Sequence, residues 1–384
     1  MRHLLISLSL LGGALTARLF LDEPDTGFDT FFSSLAVGEL APLDQLVGLP
    51  DFEDAAQRYL PIANYTYYHN GAAGEWSYRN NLEVFYRYPL RPRTMVDTSN
   101  VQSTLPTKIL GYNFSAPFFI TSAARAGLGH TAAERGLVEG AAAEDILYVP
   151  SLYATLSISE IASYKALGQV TFQQVYLDPN NDTGTQLVFD QAKAAGSKAI
   201  VFTVDAPAEG NRQRANRYDA SEASLPYTAI TWDYYEHLKT MTDLPIVLKG
   251  IQTVEDARAA VEHNVSAVYL SNHGGRQVDG SRSPLEVAIE IHEQAPEIFT
   301  QTEVYADGGV RYGGNVVKLL ALGVRAVGLG RPFLYANVYG TKGVTRAIQL
   351  LKREVALDAA NAGVADLKNI DPSYVIWKPS SQLD

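Results

Sequence analysis

The chain of 384 residues contains no cysteine at all. That absence excludes a disulfide scaffold, a thiolate metal site, a cysteine nucleophile and an iron–sulfur cluster. Basic side chains are the minority, 31 against 42 acidic, giving a net charge of −11. A nucleic-acid-binding surface would carry the opposite balance, so none is expected. No apolar stretch reaches the roughly 20 residues that a membrane-crossing helix needs, and no membrane attachment is expected. Low-complexity tracts and an interdomain linker are also missing. What is present is an ordinary globular composition, 46% hydrophobic and 19% charged, which excludes disorder, collagen and coiled coil. Length alone suggests two or three domains, although α/β barrels of this size form one.

The N-terminus reads Met1-Arg2-His3, then an apolar run from Leu4 ending in small residues at Ala17, then Arg18. A positive start, a short apolar run and small residues form the pattern of a secretory signal peptide. The alternative is an amphiphilic helix of a cytosolic protein. Cleavage after Ala14, with Gly12 three positions into the motif, fits better than cleavage after Ala17, where Leu15 is not small. Four Asn-x-Ser/Thr sequons, at Asn64, Asn113, Asn181 and Asn264, agree with a secreted glycoprotein. The expected organisation is a signal peptide over 1–17, an N-terminal extension over 18–60 with a helix near Asp51–Leu60, and a catalytic domain over 61–384.

From about residue 115 a rhythm begins. Short apolar runs occur at Pro117–Thr121, Ile146–Pro150, Val170–Tyr176, Lys198–Val204, Pro245–Lys249, Ser266–Ser271, Glu303–Asp307 and Arg325–Gly330. Near-continuous apolarity, rather than strict alternation, marks strands covered on both faces. Amphipathic stretches lie between them at Thr131–Glu144, Ser157–Ala166, Thr253–His263 and Gly313–Leu322. Ser157 and Glu160 have capping-box spacing, and Gly168 and Gly323 supply stops. Eight strands alternating with helices predict a (β/α)₈ TIM barrel with an N-terminal helical extension. A doubly wound open sheet is the alternative, but it would want a G-x-G-x-x-G after an early strand, which is absent.

A barrel of this kind works at the C-terminal ends of its strands. Those ends carry Ser122-Ala123, Ser151, Gln174 and Tyr176, Thr203 and Asp205, Lys249, Ser271 to His273, Asp307, and Gly330-Arg331. The string Ser271-Asn272-His273-Gly274-Gly275-Arg276 places an imidazole at a strand end, beside glycines that allow close approach. Histidine is the natural general base near neutral pH, and Arg276 offers a fork suited to a carboxylate. Asp205 could hold the other ring nitrogen, and Arg212 could join Arg276 on the carboxylate. Asp307-Gly308-Gly309-Val310-Arg311 and Gly330-Arg331 follow the last two strands, where such barrels bind phosphate. Lys249 could be a Schiff-base amine or a fixed cation beside an anionic cofactor. Tyr67, in the string YYHNGA, is by spacing alone more a core residue than a ligand.

Taken together, SNHGGRQVDG, DGGVR followed by GLGRP, YYHNGA, FQQVY and TVDAP resemble the FMN-dependent α-hydroxy acid oxidase/dehydrogenase family over about Leu60 to Asp366. The resemblance implies non-covalent FMN and a 2-hydroxy acid oxidised to a 2-oxo acid. It implies that His273 takes the proton and that Asp205 stabilises the resulting imidazolium. Arg212, Arg276, Tyr67, Tyr176 and Tyr153 then bind substrate, Tyr153 standing where glycolate oxidase has tryptophan. Ser122, Ala123, Ser151, Gln174, Thr203, Lys249 and Ser271 contact FMN. Asp307, Gly308, Gly309, Val310 and Arg311, with Gly330 and Arg331, hold its ribityl and phosphate. No metal is implied; a homo-oligomer, a tetramer as in the family, is. Oxygen is the expected acceptor, giving peroxide; the alternatives are a dehydrogenase with another acceptor and an FMN-barrel isomerase.

The chain departs from the family in several places. The segment between Arg217 and Trp232 is short, Asn211 replaces a commonly basic or glutamine residue, and Arg125–His130 is irregular against glycolate oxidase. The C-terminus, Ser-Gln-Leu-Asp, is not the peroxisomal Ser-Lys-Leu address, which leaves secretion as the expected destination.

Overall fold

The computed structural model describes residue 32 and residues 34–218 and 227–377. The expected signal peptide, most of the short segment after Arg217 and the C-terminal tetrapeptide lie outside the described residues. Seven parallel strands follow one another in the chain: β1 (Phe118–Ile120), β2 (Gln173–Val175), β3 (Ile200–Thr203), β4 (Ile246–Ile251), β5 (Ala267–Leu270), β6 (Glu303–Ala306) and β7 (Ala326–Leu329). Their order in the sheet is β1-β7-β6-β5-β4-β3-β2.

The gap between β1 and β2 is filled by the second apolar run, Ile146–Pro150, but not as a strand. Tyr148 alone bridges Ile120 on one side and Thr171 on the other, both in parallel. The backbone bonds are nonetheless there: Val149 N–H donates to Ile120 O at 2.9 Å, and Ile120 N–H to Leu147 O at 3.0 Å. Gln174 N–H reaches Pro150 O at 3.0 Å, while Pro150 has no N–H to continue the ladder. The ring therefore closes as a (β/α)₈ TIM barrel whose second member is a bridge.

Alternation along each strand divides the apolar runs between two cores. Phe119, Phe172, Val201, Val247, Tyr269, Tyr305 and Ala326 face the barrel interior, together with Leu147 and Val149. Phe118, Ile120, Phe202, Ile246, Leu248, Val268, Leu270 and Val327 face the surrounding helices. An antiparallel hairpin, Thr107–Ile109 with Tyr112–Phe114, plugs the interior from below with Ile109 and Phe114. Two residues beyond each inward apolar residue comes the next inward position. Reading them off gives Thr121, Ser151, Gln174, Thr203, Lys249, Ser271, Asp307 and Gly328 with Gly330. One polar layer thus sits on an apolar plug, at the C-terminal end of the strands.

Helix starts follow the sequence signals. Ser157 and Glu160 form the expected capping box at Ile158–Ser163, and Thr253 accepts from Asp256 N–H at the start of Val254–Glu262. The helix expected near Asp51–Leu60 spans Leu49–Tyr59, with Asp51 accepting from the N–H groups of Val47 and Gly48. Leu46, Leu49 and Phe52 on the described part of this extension are fully buried in the outer core. Helices outside the stretches expected from the sequence include Ile62–Tyr68, Trp76–Arg87, Asp182–Ala194, Trp232–Met241, Pro284–Gln294 and the 22-residue Gly340–Asn361, which packs on Glu134–Ala143.

Glu134, at the start of Glu134–Ala143, is fully buried and ties two loops together. Its carboxyl accepts from Ala126 N–H at 3.0 Å, Thr155 N–H at 2.8 Å and Leu156 N–H at 2.9 Å. Replacement by alanine leaves one buried donor, Ala126 N–H, and two part-buried ones without an acceptor, the buried one costing about 1–3 kcal/mol and the others less. Glu134→Ala is expected to lose about 3 kcal/mol or more in chemical denaturation, and Glu134→Gln about half of that. An unchanged midpoint for the alanine variant would show that the loops do not depend on this carboxyl.

Candidate active site

A cavity of about 730 Å³ opens above the polar layer. Of the residues expected at the site, all but Thr203, Asp205 and Ser271 line it, and those three lie directly behind lining residues. Thr203 Oγ1 accepts from Gln174 Nε2 at 2.9 Å, while Gln174 Oε1 accepts from Leu152 N–H at 3.1 Å. Ser151 Oγ accepts from Tyr153 N–H at 3.1 Å. Ser271 Oγ donates to Asp307 Oδ1 at 2.7 Å and accepts from Lys249 Nζ at 2.9 Å. Asp307 Oδ2 takes the hydroxyl of Tyr269 at 3.0 Å, and lies 3.8 Å from Lys249 Nζ. A buried, partnered lysine of this kind is a fixed cation, held by its own layer rather than by water.

His273 stands at the centre. Its backbone has φ +58°, and Gly274 and Gly275 follow at +67° and +74°. A Cβ on Gly275 would come within 2.5 Å of Tyr78 N, so both the conformation and the space demand glycine there. This left-handed run turns the imidazole inward over the barrel mouth. Nδ1 lies 3.0 Å from Asp205 Oδ1, and Nε2 lies 3.2 Å from the Tyr176 hydroxyl. With Asp205 accepting at Nδ1, neutral His273 presents a basic Nε2 to the cavity. Asp205 itself fits because residue 250 is glycine. At φ +113°, a Cβ on Gly250 would lie 2.6 Å from the Asp205 Cβ. The register of β4 on β5 shifts at this same point, between Lys249 and Ile251.

Burial is the largest influence on His273 and pushes its pKa down; Asp205 pulls it back up, and Lys249 and Arg212 push it down again, for a net value below the ordinary 6.5. Burial works to raise Asp205, but His273 and Lys249 outweigh it and hold the carboxyl below its ordinary range. The Asp205 side chain is fully buried, and its Oδ2 has no hydrogen-bond partner among the described residues.

Two guanidiniums face this pair. Arg212 Nε donates to Arg276 O at 3.1 Å, and its Nη2 to Gln277 Oε1 at 2.7 Å. Arg276 Nη1 donates to Tyr67 O at 3.1 Å, with the guanidinium 5.6 Å from the Tyr67 ring centroid. Burial, then the charge of Arg276, brings Arg212 down to about 9. Two cations driven together in a desolvated wall form a site for an anion. Tyr153 and Tyr176 stack at 4.9 Å beside them.

The far end of the cavity has a different character. Gly308 and Gly309 take φ +95° and +78°, and a Cβ on Gly309 would fall 1.8 Å from Asn81 O. Arg311 donates from Nε to Glu53 Oε2 at 3.2 Å, delivered by the N-terminal extension. Its Nη2 is buried with no partner among the described residues. Arg331 donates to the carbonyls of Tyr68, Asn70 and Gly274 at 2.8, 2.6 and 3.1 Å, and so also organises the loops around the cavity. A glycine cradle beside an incompletely satisfied guanidinium fits a phosphate. Along the polar layer, the amide, hydroxyl and ammonium groups supply the donors and acceptors that a planar heterocycle would engage. The residues present therefore fit FMN. Sequence reasoning missed Thr121, Tyr269, Glu53, Glu134 and Arg125. Inward alternation could have found the first two; the others arrive from elements whose contacts are remote in sequence.

A family model described as FMN-dependent dehydrogenase matches residues 56–229 and 218–377. The chain is 36% identical over 358 residues to the L-lactate dehydrogenase (cytochrome) of Wickerhamomyces anomalus, a match covering 87% of this chain and 62% of that protein. It thus spans about three fifths of the length of that relative. It is 34% identical over 360 residues to a peroxisomal (S)-2-hydroxyacid oxidase of Arabidopsis thaliana, covering 87% of this chain and 97% of the oxidase. Among solved structures, the recombinant flavin-binding domain of baker's yeast flavocytochrome b2 superposes with a TM-score of 0.82 at 33% identity, over 93% of this chain and 94% of that one.

The titration of His273 has a definite sign. Its folded pKa lies below 6.5, so the unfolded chain takes up the proton first, and the stability this residue contributes is present above that pH and lost as pH falls. Ring-proton NMR should give a midpoint below 6.5 for His273, and a lower one still in Asp205→Asn, which removes the upward pull. A midpoint that rises in Asp205→Asn would contradict the pairing.

Proposed function

This chain belongs to the FMN-dependent dehydrogenase family, and from that membership we propose that it oxidises the 2-hydroxyl of an L-2-hydroxy acid to a 2-oxo acid. The observation that carries the reading is the Asp205–His273 pair facing Arg212 and Arg276 across one cavity wall. Bound FMN supplies the two-electron sink, held by the polar layer and by the glycine loop with Arg311.

The chain's own residues do the rest. Arg212 and Arg276 fix the substrate carboxylate, with the Tyr67 ring under the second guanidinium. The Tyr176 hydroxyl, within hydrogen-bond reach of His273 Nε2, steadies the substrate hydroxyl at the same spot. Burial raises the pKa of Tyr176, so it remains a neutral donor throughout the working range. His273 Nε2 accepts the proton as the two electrons leave the α-carbon. Asp205, its carboxyl held ionised, stabilises the imidazolium that forms. Lys249 keeps a positive charge in the layer below, where a gain of negative charge is best offset. Fixing the carboxylate and aiming the carbon supply the orientation component of the rate.

Oxygen as the electron acceptor is supported by the likeness to the (S)-2-hydroxyacid oxidase of Arabidopsis thaliana, 34% identical over 360 residues. Secretion is supported by the leader-like N-terminal string, and by sequons Asn113, Asn181 and Asn264 at exposed positions. Asn64 is only partly exposed, with its Nδ2 donating to Leu128 O at 2.8 Å, and is the poorest of the four acceptors. N-terminal sequencing of protein recovered from the medium should find a chain that starts beyond the apolar run; an intact Met1 would overturn this.

The purified protein should show flavin absorbance that bleaches anaerobically with an L-2-hydroxy acid, and should release peroxide in air. His273→Gln should retain the flavin, which other residues hold, while stopped-flow reduction slows by about 10²-fold or more. Arg276→Lys should chiefly raise KM, since an ammonium cannot reproduce the fork. A near-normal reduction rate in flavin-loaded His273→Gln would remove the base from the mechanism.

A further inference from the structure

Arg311 is held by its own chain on two of its three side-chain nitrogens. Nη1 donates to Val310 O at 3.1 Å and Nε to Glu53 Oε2 at 3.2 Å, while Nη2 is buried with no partner among the described residues. The backbone beneath is fixed as well, because Asn315 Oδ1 accepts from the N–H groups of Arg311 and Tyr312 at 3.0 and 3.1 Å. Arg311 lines the cavity beside Gly308 and Gly309; Glu53 does not. The carboxylate therefore stands behind the guanidinium, where it cannot meet a phosphate directly. Burial works to lower the pKa of Arg311, but Glu53, first among its neighbours, outweighs that and holds the group charged.

Glu53 is itself placed by the fold. It lies on the helix Leu49–Tyr59, whose buried face includes Leu49, Phe52, Ala55 and Ala56. Phe52 meets the Tyr339 ring edge-on at 6.1 Å, and the helix packs on Arg331–Ala336, which begins in the second half of the phosphate loop. The other carboxylate oxygen, Oε1, lies 3.8 Å from His69 Nε2. Burial pushes the pKa of His69 down, so its ring is neutral at neutral pH. Arg214 Nη1 donates to His69 Nδ1 at 3.2 Å. A guanidinium can only donate, so the ring proton sits on Nε2, towards Glu53. Tyr65 stacks on the same ring at 5.1 Å. Each oxygen of Glu53 thus faces a partner whose own position is set.

We propose that Glu53 is a positioning residue for the phosphate of FMN, holding Arg311 through Nε so that its remaining N–H groups are aligned for the ligand. The proposal rests on the reading of the glycine loop with Arg311 as the phosphate site. A free arginine side chain samples many rotamers and would lose that freedom on binding; an anchored one has already lost it in folding. The N–H···O bonds to a phosphate are directional, so alignment of the planar fork adds to affinity beyond its charge.

The test separates position from charge. The full-length protein is loaded with FMN or with riboflavin, which lacks the phosphate, and flavin fluorescence on dilution gives Kd for each. Glu53→Gln keeps an acceptor at the same reach without the charge. Glu53→Asp keeps the charge on a side chain one methylene shorter. Glu53→Gln is expected to bind FMN close to the parent, and Glu53→Asp to lose about tenfold or more, the loss of one charge-assisted hydrogen bond. Riboflavin affinity should be alike in all three proteins. Equal loss of both flavins in Glu53→Asp would make the residue merely structural. Loss of FMN in Glu53→Gln with Glu53→Asp unaffected would make it a source of charge. Either result overturns the proposal. Arg311→Gln is the reference: if it leaves the preference for FMN over riboflavin unaltered, the phosphate reading of the loop fails. If it abolishes that preference while Glu53→Asp keeps it, only the role of Glu53 fails.

Discussion

Closure of the strand ring is the constraint on which everything else in this molecule rests. The seven strands alone form an open sheet, and the ring is completed by the short segment Leu147–Pro150, in which Tyr148 is paired in parallel on both sides. Once closed, the pleat decides each strand's inward positions. Apolar residues fill one level and polar residues the next. The chemistry at the mouth is therefore not a loop decoration. Lys249, Thr203, Gln174, Ser271 and Asp307 are the continuation of the same inward series that begins with Val247, Val201, Phe172, Tyr269 and Tyr305. A slip of one residue in any strand would exchange these for the outward set and put apolar side chains where the polar layer belongs.

The second organising feature is charge held without water. Lys249 and Asp307 are almost wholly buried, as is Asp205, and each is tied to a neighbour from a different strand or loop. Such groups contribute little net stability, since desolvation offsets much of their attraction. They do fix distances. His273 is held between Asp205 and Tyr176, and the guanidiniums between backbone carbonyls and rings. Preorganisation of this kind lets the site respond to a developing charge without rearranging.

Much of this was legible in the sequence, because the signals were periodic or local. Eight apolar runs announced the ring, their last residues announced the layer, and Ser157, Thr253 and Gly323 marked helix ends at or within a few residues of where they fall. The shortfalls have a common physical origin. The run at Ile146–Pro150 looks as strand-like as its neighbours, but Pro150 cuts its ladder to one bridge. Glu53, Glu134 and Arg125 act on partners brought close only by the fold: Glu53 pairs with Arg311 and Glu134 bonds the N–H groups of Ala126, Thr155 and Leu156. A lone acid in a helical stretch carries no periodic mark of such a role. The burial of the helix at Leu49–Tyr59 was not legible because it depends on helices hundreds of residues later, Arg331–Ala336 and Gly340–Asn361.

The backbone under His273 has a consequence of its own. Three successive residues there occupy the left-handed region, and His273 is the one among them with a side chain to strain. An L-residue other than glycine, asparagine or aspartate holds that conformation at a cost of about 1–2 kcal/mol. The ground state therefore carries backbone tension at the residue proposed as the base. Selection for a sturdier fold alone would erode this position towards glycine or asparagine, and the enzyme would grow hardier as it fell silent. Durability and turnover are opposed here at a single pair of dihedral angles.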